Sequence, residues 1–122
     1  MKPEGERPSY FYDFNAMPGE LVTPKYSTAF GPLLTGQHIE VGMLRYRKGE
    51  GAVPHAHPSE QIMVVIRGRL WVRIANQSAE LGPGQAFLAP PNVEHEVRAL
   101  EDTEVLSCKN VVGGYGHRLP ST

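Results

Sequence analysis

Thirteen glycines and eleven prolines are spread almost evenly between short apolar stretches, and they divide the chain into segments no longer than a β-strand. No window sustains a helical apolar period beyond two turns, so the expected fold class is all-β. A length of 122 residues suits one domain with a core that needs no disulfide staples. The single cysteine, Cys108, allows no internal disulfide and points to a reducing, cytoplasmic setting. The opening MKPEGERPSY lacks the apolar run of a signal peptide. The longest apolar run, Ile62 to Ile66, is too short to cross a bilayer. The formal net charge of −1 is distributed along the chain without a basic stripe, which argues against nucleic acid and membranes as partners.

Residues 1–16 read as an N-terminal arm, charged and proline-bearing at first, then aromatic at Tyr10, Phe11, Tyr12 and Phe14. The aromatics are expected to pack against the outside of the domain or against a partner subunit. Residues 17–122 form the domain with a short tail, and residues 17–36 leave room only for short strands between turns. Alternation begins at Ile39, where Ile39, Val41 and Met43 interleave with Glu40 and Gly42, reaching Tyr46 as a half-buried strand. A further extended segment runs through His57. Gln61 to Arg67 (QIMVVIR) is β-branched and apolar on both faces. One face is expected to line the interior, and the other suggests a homodimer. Strands are then expected over Leu70 to Ala75, Ala79 to Leu81, Gln85 to Ala89, His95 to Ala99 and Glu104 to Asn110. Asn76-Gln77-Ser78 reads as a hairpin loop. Many short antiparallel strands at this spacing suggest a sandwich or a closed jelly roll.

Five histidines occur in the chain. His55 and His57, two apart on an extended segment, share a face about 7 Å apart and can converge on one ion at about 2.1 Å. Gln61 has the same parity and could add a carbonyl oxygen, while one β-bulge would put Glu60 there instead. His38 and His117, each isolated in a turn or tail, are expected to be solvated.

Gly49, five residues, His55-x-His57, Glu60-Gln61 and Gly68 resemble the first sequence motif of the cupins. Gly84, five residues, Pro90 and then His95 resemble the second. The resemblance implies a jelly-roll barrel holding one divalent transition metal ion (Fe, Mn, Ni, Co or Zn) on His55, His57, Gln61 and His95. Two positions depart from the pattern: Asn92 stands where the second motif has glycine, a substitution a left-handed turn tolerates, and Ala99 replaces the motif's terminal Asn. The ligands would all be neutral, leaving the charge of the ion for a bound anion.

The stretch ALEDTEVL (99–106) is similar to the pectin-degradation group of small cupins, which linearise unsaturated uronates. Where that group carries an acidic residue, this chain has Ser107, followed by Cys108 and Lys109. Ser107 and Lys109 share strand parity and are the candidate catalytic residues, Lys109 as a carboxylate anchor or base. Cys108 has no base to activate it. Trp71 with Arg73, or Met43 with Arg45, could place an arginine at a substrate carboxylate, with core packing the expected role of Trp71 and Met43. The implied function is a metal-dependent isomerase or lyase acting on a small carbonyl or sugar-acid substrate. The alternatives are a non-haem dioxygenase and a non-catalytic binding module. With ordinary imidazoles, metal affinity should fall below roughly pH 6.

Overall fold

The computed structural model describes residues 9–118; residues 1–8, the charged start of the expected arm, and 119–122, the end of the tail, lie outside the described residues. The strands in chain order are β1 (Glu20–Leu21), β2 (Phe30–Gly31), β3 (Leu33–Thr35), β4 (Ile39–Tyr46), β5 (Gly51–His55), β6 (Gln61–Arg67), β7 (Leu70–Ile74), β8 (Gln77–Leu81), β9 (Ala86–Ala89), β10 (His95–Ala99) and β11 (Thr103–Asn110). A 3-10 turn, Phe14–Ala16, precedes them. The expected all-β class is therefore what the chain adopts.

Two antiparallel sheets face each other. One runs β1-β2-β4-β11-β6-β9 with β3 also on β4, and the other runs β5-β10-β7-β8. Chain-distant strands are paired, β4 with β11 and β5 with β10, and this staggered crossing closes the two sheets into a jelly roll. Between them lies one apolar core that includes Leu44, Met63, Val65, Leu70, Val72 and Val105. Two glycines allow close passage at the seams. A Cβ on Gly51 would sit 2.0 Å from the Val97 carbonyl oxygen, and Gly68, at φ +92°, would meet the Asp102 carbonyl at 2.4 Å.

Strand β11 alternates without a break: Thr103, Val105, Ser107 and Lys109 point inward, and Glu104, Leu106 and Cys108 point outward. Strand β4 reverses the expected phase. Glu40, Gly42, Leu44 and Tyr46 are buried, whereas Ile39 is 61% exposed and Val41 and Met43 are half-buried on the outside. Apolar residues occupy both faces of β4, and the face carrying the larger pair Leu44 and Tyr46 is the one that fills the core.

Trp71 likewise lies on the outward face of β7, opposite Leu70 and Val72, so neither Trp71 nor Met43 belongs to the core. Arg73 is paired outside the barrel with Glu94 and Glu96, and Arg45 lies over the Phe30 ring, so neither arginine enters the interior. The hairpin loop falls one residue earlier than expected, at Ala75-Asn76, because Ile74 pairs with Gln77 and Ala75 adopts φ 52°. Tyr10 and Phe11 are 85% and 89% exposed and do not pack on their own barrel, whereas Phe14 is half-buried beside Phe30 and Met43.

Candidate metal centre

Chemistry-bearing side chains gather at one end of the barrel, where β5 ends, β6 and β10 begin, and β11 finishes. His55 closes β5 and pairs directly with His95 at the start of β10. His57 lies just beyond β5, and Gln61 opens β6 opposite Lys109 of β11. Asn92 takes φ 62°, the left-handed turn its chemistry tolerates, and its N–H donates to the His57 carbonyl at 2.8 Å. The turn that delivers His95 thus also ties down His57.

Each imidazole is oriented by one backbone carbonyl. Nδ1 of His55 donates to Val53 (2.6 Å), Nδ1 of His57 to Ser59 (2.9 Å) and Nδ1 of His95 to Val93 (2.9 Å). With Nδ1 protonated in each ring, Nε2 keeps its lone pair free. One nitrogen from each ring lies within 4.8 Å of the others. His95 is 2% exposed, and its Nε2 is the one buried side-chain polar atom without a partner among the described residues. A buried nitrogen left unpaired costs about 1–3 kcal/mol, which a cation between the three rings would recover. Two donors at about 2.1 Å from one ion stand no more than about 4.2 Å apart, so inward shifts below an ångström complete the site. The three histidines could hold a metal ion, and imidazole donors suit the divalent first-row ions.

Gln61 is buried, with Oε1 3.3 Å from His57 Nε2. Glu60, the rival at that position, is exposed, because the parity from His57 to Gln61 continues without a slip. Burial pushes the pKa of His57 and His95 down to about 4, reinforced by Lys109 and by the neighbouring rings, and it lowers that of His55 as well. The Tyr26 ring stacks on His55 at 5.1 Å between centroids and shields its outer side.

Lys109 is 4% exposed and belongs to the lining of the internal cavity with His55, Gln61 and His95. No carboxylate pairs with it among the described residues, and burial lowers its pKa to about 8 despite nearby Glu40. Ser107 is fully buried behind Gln61, whose Nε2 donates to Ser107 Oγ at 2.9 Å. Cys108 faces the outside of the barrel, and burial raises its thiol pKa. His38 is exposed as expected.

His117 is not solvated, contrary to expectation: it is 1% exposed and bonded to Glu40 and Ser107. The tail turns back through Val112 and Tyr115 and inserts His117 into the barrel end, where a buried carboxylate receives it. Glu40, Ser59, Tyr26 and His117 were missed in the sequence because each approaches the site from a segment outside the two motifs or by backbone contact. Only Glu40 left a trace, a charge in phase with Leu44 and Tyr46.

The sequence profile of the cupin domain matches residues 42–108, more than half of the chain and all four candidate donors. This chain belongs to the cupin family. Among solved structures it is similar to an RmlC-like cupin from Shewanella frigidimarina, with 18% identity, TM-score 0.76, and coverage of 87% of this chain and 94% of that one. It is also similar to KdgF from Halomonas sp. (28% identity, TM-score 0.61, 63% of this chain and 73% of that one). BH2720 from Bacillus halodurans is 25% identical at TM-score 0.61 over 64% of this cupin and 67% of that chain. No curated protein matches the sequence significantly. Among the described residues of this cupin, no helix is long and apolar enough to cross a membrane.

Proposed function

We propose that this cupin binds one divalent transition metal ion through His55, His57, His95 and Gln61, and acts as a metal-dependent isomerase or lyase on a small carboxylate-bearing carbonyl or sugar-acid substrate. The observation that carries the reading is Lys109, a buried ammonium with no direct ion-pair contact among the described residues, beside a donor set without a single negative charge; the carboxylate of Glu40, across from it on β4, is engaged by His117 and Thr35. A substrate carboxylate would give that ammonium a direct partner. A bound ion would act as a Lewis acid on the substrate carbonyl.

Lys109, with its pKa near 8, is suited to hold the carboxylate as an ammonium or, as the amine, to take a proton from the carbon next to the carbonyl. With an α-hydroxy carbonyl substrate, the electron pair left on that carbon moves to the carbonyl oxygen, the α-hydroxyl proton passes to that oxygen, and Lys109 returns its proton to the former carbonyl carbon as the α-oxygen becomes the new carbonyl. Ser107 has its hydroxyl engaged on both sides and serves the site from behind. The similarity of residues 99–106 to the pectin-degradation group, together with 28% identity to KdgF, supports a sugar-acid substrate over other carbonyl compounds.

Lys109→Met is expected to keep the metal and to lose at least tenfold in affinity for a small probe carboxylate such as pyruvate, since a charge-assisted bond is worth about 1.5–3 kcal/mol. Calorimetry on the metal-loaded protein measures this. Unchanged pyruvate binding would remove Lys109 from the site.

The imidazole-rich donor set also supports a second reading, a non-haem dioxygenase, because such donors suit iron(II). Oxygen uptake by the iron-loaded protein selects it. Binding of carboxylates without turnover or oxygen uptake selects a non-catalytic binding module. The single cysteine fits a reducing compartment such as the cytoplasm.

The outer face of the larger sheet supports a homodimer. Ile62 is 41%, Ile66 40% and Leu88 51% exposed, and half-buried Val41, Val64 and Leu106 lie on the same face. Ile62→Glu is expected to convert a dimer to a monomer in sedimentation, whereas a monomeric wild type would contradict the assembly.

A further inference from the structure

We propose that Glu40 and His117 are positioning residues which, acting through Ser107, hold the Gln61 carboxamide with its oxygen toward the three histidines. The fourth donor is then set before an ion arrives. The inference rests on the metal reading above and goes beyond it, because Glu40, Lys109 and His117 lie outside the matched region 42–108.

The argument follows the hydrogens. Glu40 is 2% exposed and accepts from the backbone N–H of His117 (2.5 Å), from His117 Nδ1 (2.6 Å) and from the Thr35 hydroxyl. Burial alone would raise its pKa, but these donors outweigh it and hold the pKa at about 2, so the group is a carboxylate. A carboxylate only accepts, so the ring proton of His117 sits on Nδ1. Burial keeps the imidazole neutral, which leaves Nε2 as an acceptor.

Ser107 Oγ lies 2.7 Å from that nitrogen and must spend its one proton there. Only lone pairs remain on Ser107 toward Gln61, 2.9 Å away, and only the NH2 end of a carboxamide satisfies them. Gln61 Oε1 is therefore forced to the opposite side, next to His57 Nε2. A flipped carboxamide would set its oxygen against the Ser107 lone pairs, and both side chains are buried. A glutamate at position 61 would present an oxygen either way and need no such device. The relay is what a neutral fourth donor requires.

The test is a cobalt(II) titration of the metal-free full chain, read by visible absorption. It compares wild type with Ser107→Ala and His117→Phe, each in the native background and together with Gln61→Glu. His117→Phe frees the Ser107 proton to bond a flipped carboxamide. Ser107→Ala removes the relay with little change in volume and serves if His117→Phe fails to fold. The expected result is about a tenfold loss of cobalt affinity with Gln61, one buried hydrogen bond's worth, and less than about a twofold loss with Glu at that position. Equal losses in both backgrounds, or none with Gln61, would overturn the relay while leaving the metal centre standing. A wild type that takes up no cobalt would overturn both.

Discussion

His95→Leu will cost the cupin at least a hundredfold in metal affinity, yet leave the metal-free chain as stable as wild type or slightly more so. The two effects separate because His95 serves the fold poorly. Its Nε2 is buried without a partner, at a cost of about 1–3 kcal/mol, and a leucine of similar volume removes that cost while still contacting Phe87 and Val97. The bond from Nδ1 to the Val93 carbonyl is lost, but Val93 is only half-buried. Removing one of three imidazoles from the metal site has no such compensation. Thermal melts without metal, paired with cobalt or zinc titrations, measure both sides. A large loss of metal-free stability with metal affinity intact would mean that His95 is a packing residue.

The second large effect is on pH. Burial depresses the pKa of His57 and His95 to about 4, whereas in the unfolded chain both titrate near the ordinary 6.5. Between those values the unfolded state binds more protons, so the stability of the metal-free protein is full above pH 6.5 and declines as pH falls toward 4. By pH 5 each group contributes about 1 kcal/mol of loss, after halving the full value for solvent at the cavity mouth. For a domain of this size that is about 4 °C in Tm for each histidine.

The same shifts correct the expectation of metal release below pH 6. These rings stay neutral to lower pH, so the loaded protein should hold its metal to about pH 5 and release it closer to pH 4. Melts of metal-free and loaded protein at pH 7 and pH 5 compare the two. A metal-free Tm independent of pH over that range would show that these rings titrate as exposed histidines do.

What the sequence made readable was local. The spacing of His55, His57 and Gln61 follows from strand parity, and parity is read directly from the chain. Strands β6 and β10 were bounded correctly because the β-branched run of β6 lies between Pro58 and Gly68, and β10 lies between the Pro90-Pro91-Asn92 turn and the Glu101-Asp102 loop. Strand β4 was harder: it is apolar on both faces, so the alternation at Ile39, Val41 and Met43 pointed to the wrong phase, and packing of Leu44 and Tyr46 between the sheets decided it. His117 was unreadable for another reason. Its place depends on a tail that returns 77 residues along the chain to Glu40, and nothing local encodes that contact. Trp71 misled because a large aromatic usually fills a core, whereas here it lies on an outer face beside Arg73.

The central claim is that three imidazoles, two from the end of β5 and just beyond it and one from the start of β10, enclose one ion. Equilibrium dialysis of the metal-free protein against cobalt(II), with elemental analysis of the bound fraction, tests it most directly. The account predicts saturation at one ion per chain and its loss on substitution of His55, His57 or His95. Binding below one tenth of an equivalent at about 100 μM cobalt, where a site of ordinary affinity is saturated, or one equivalent that survives all three substitutions, would contradict it.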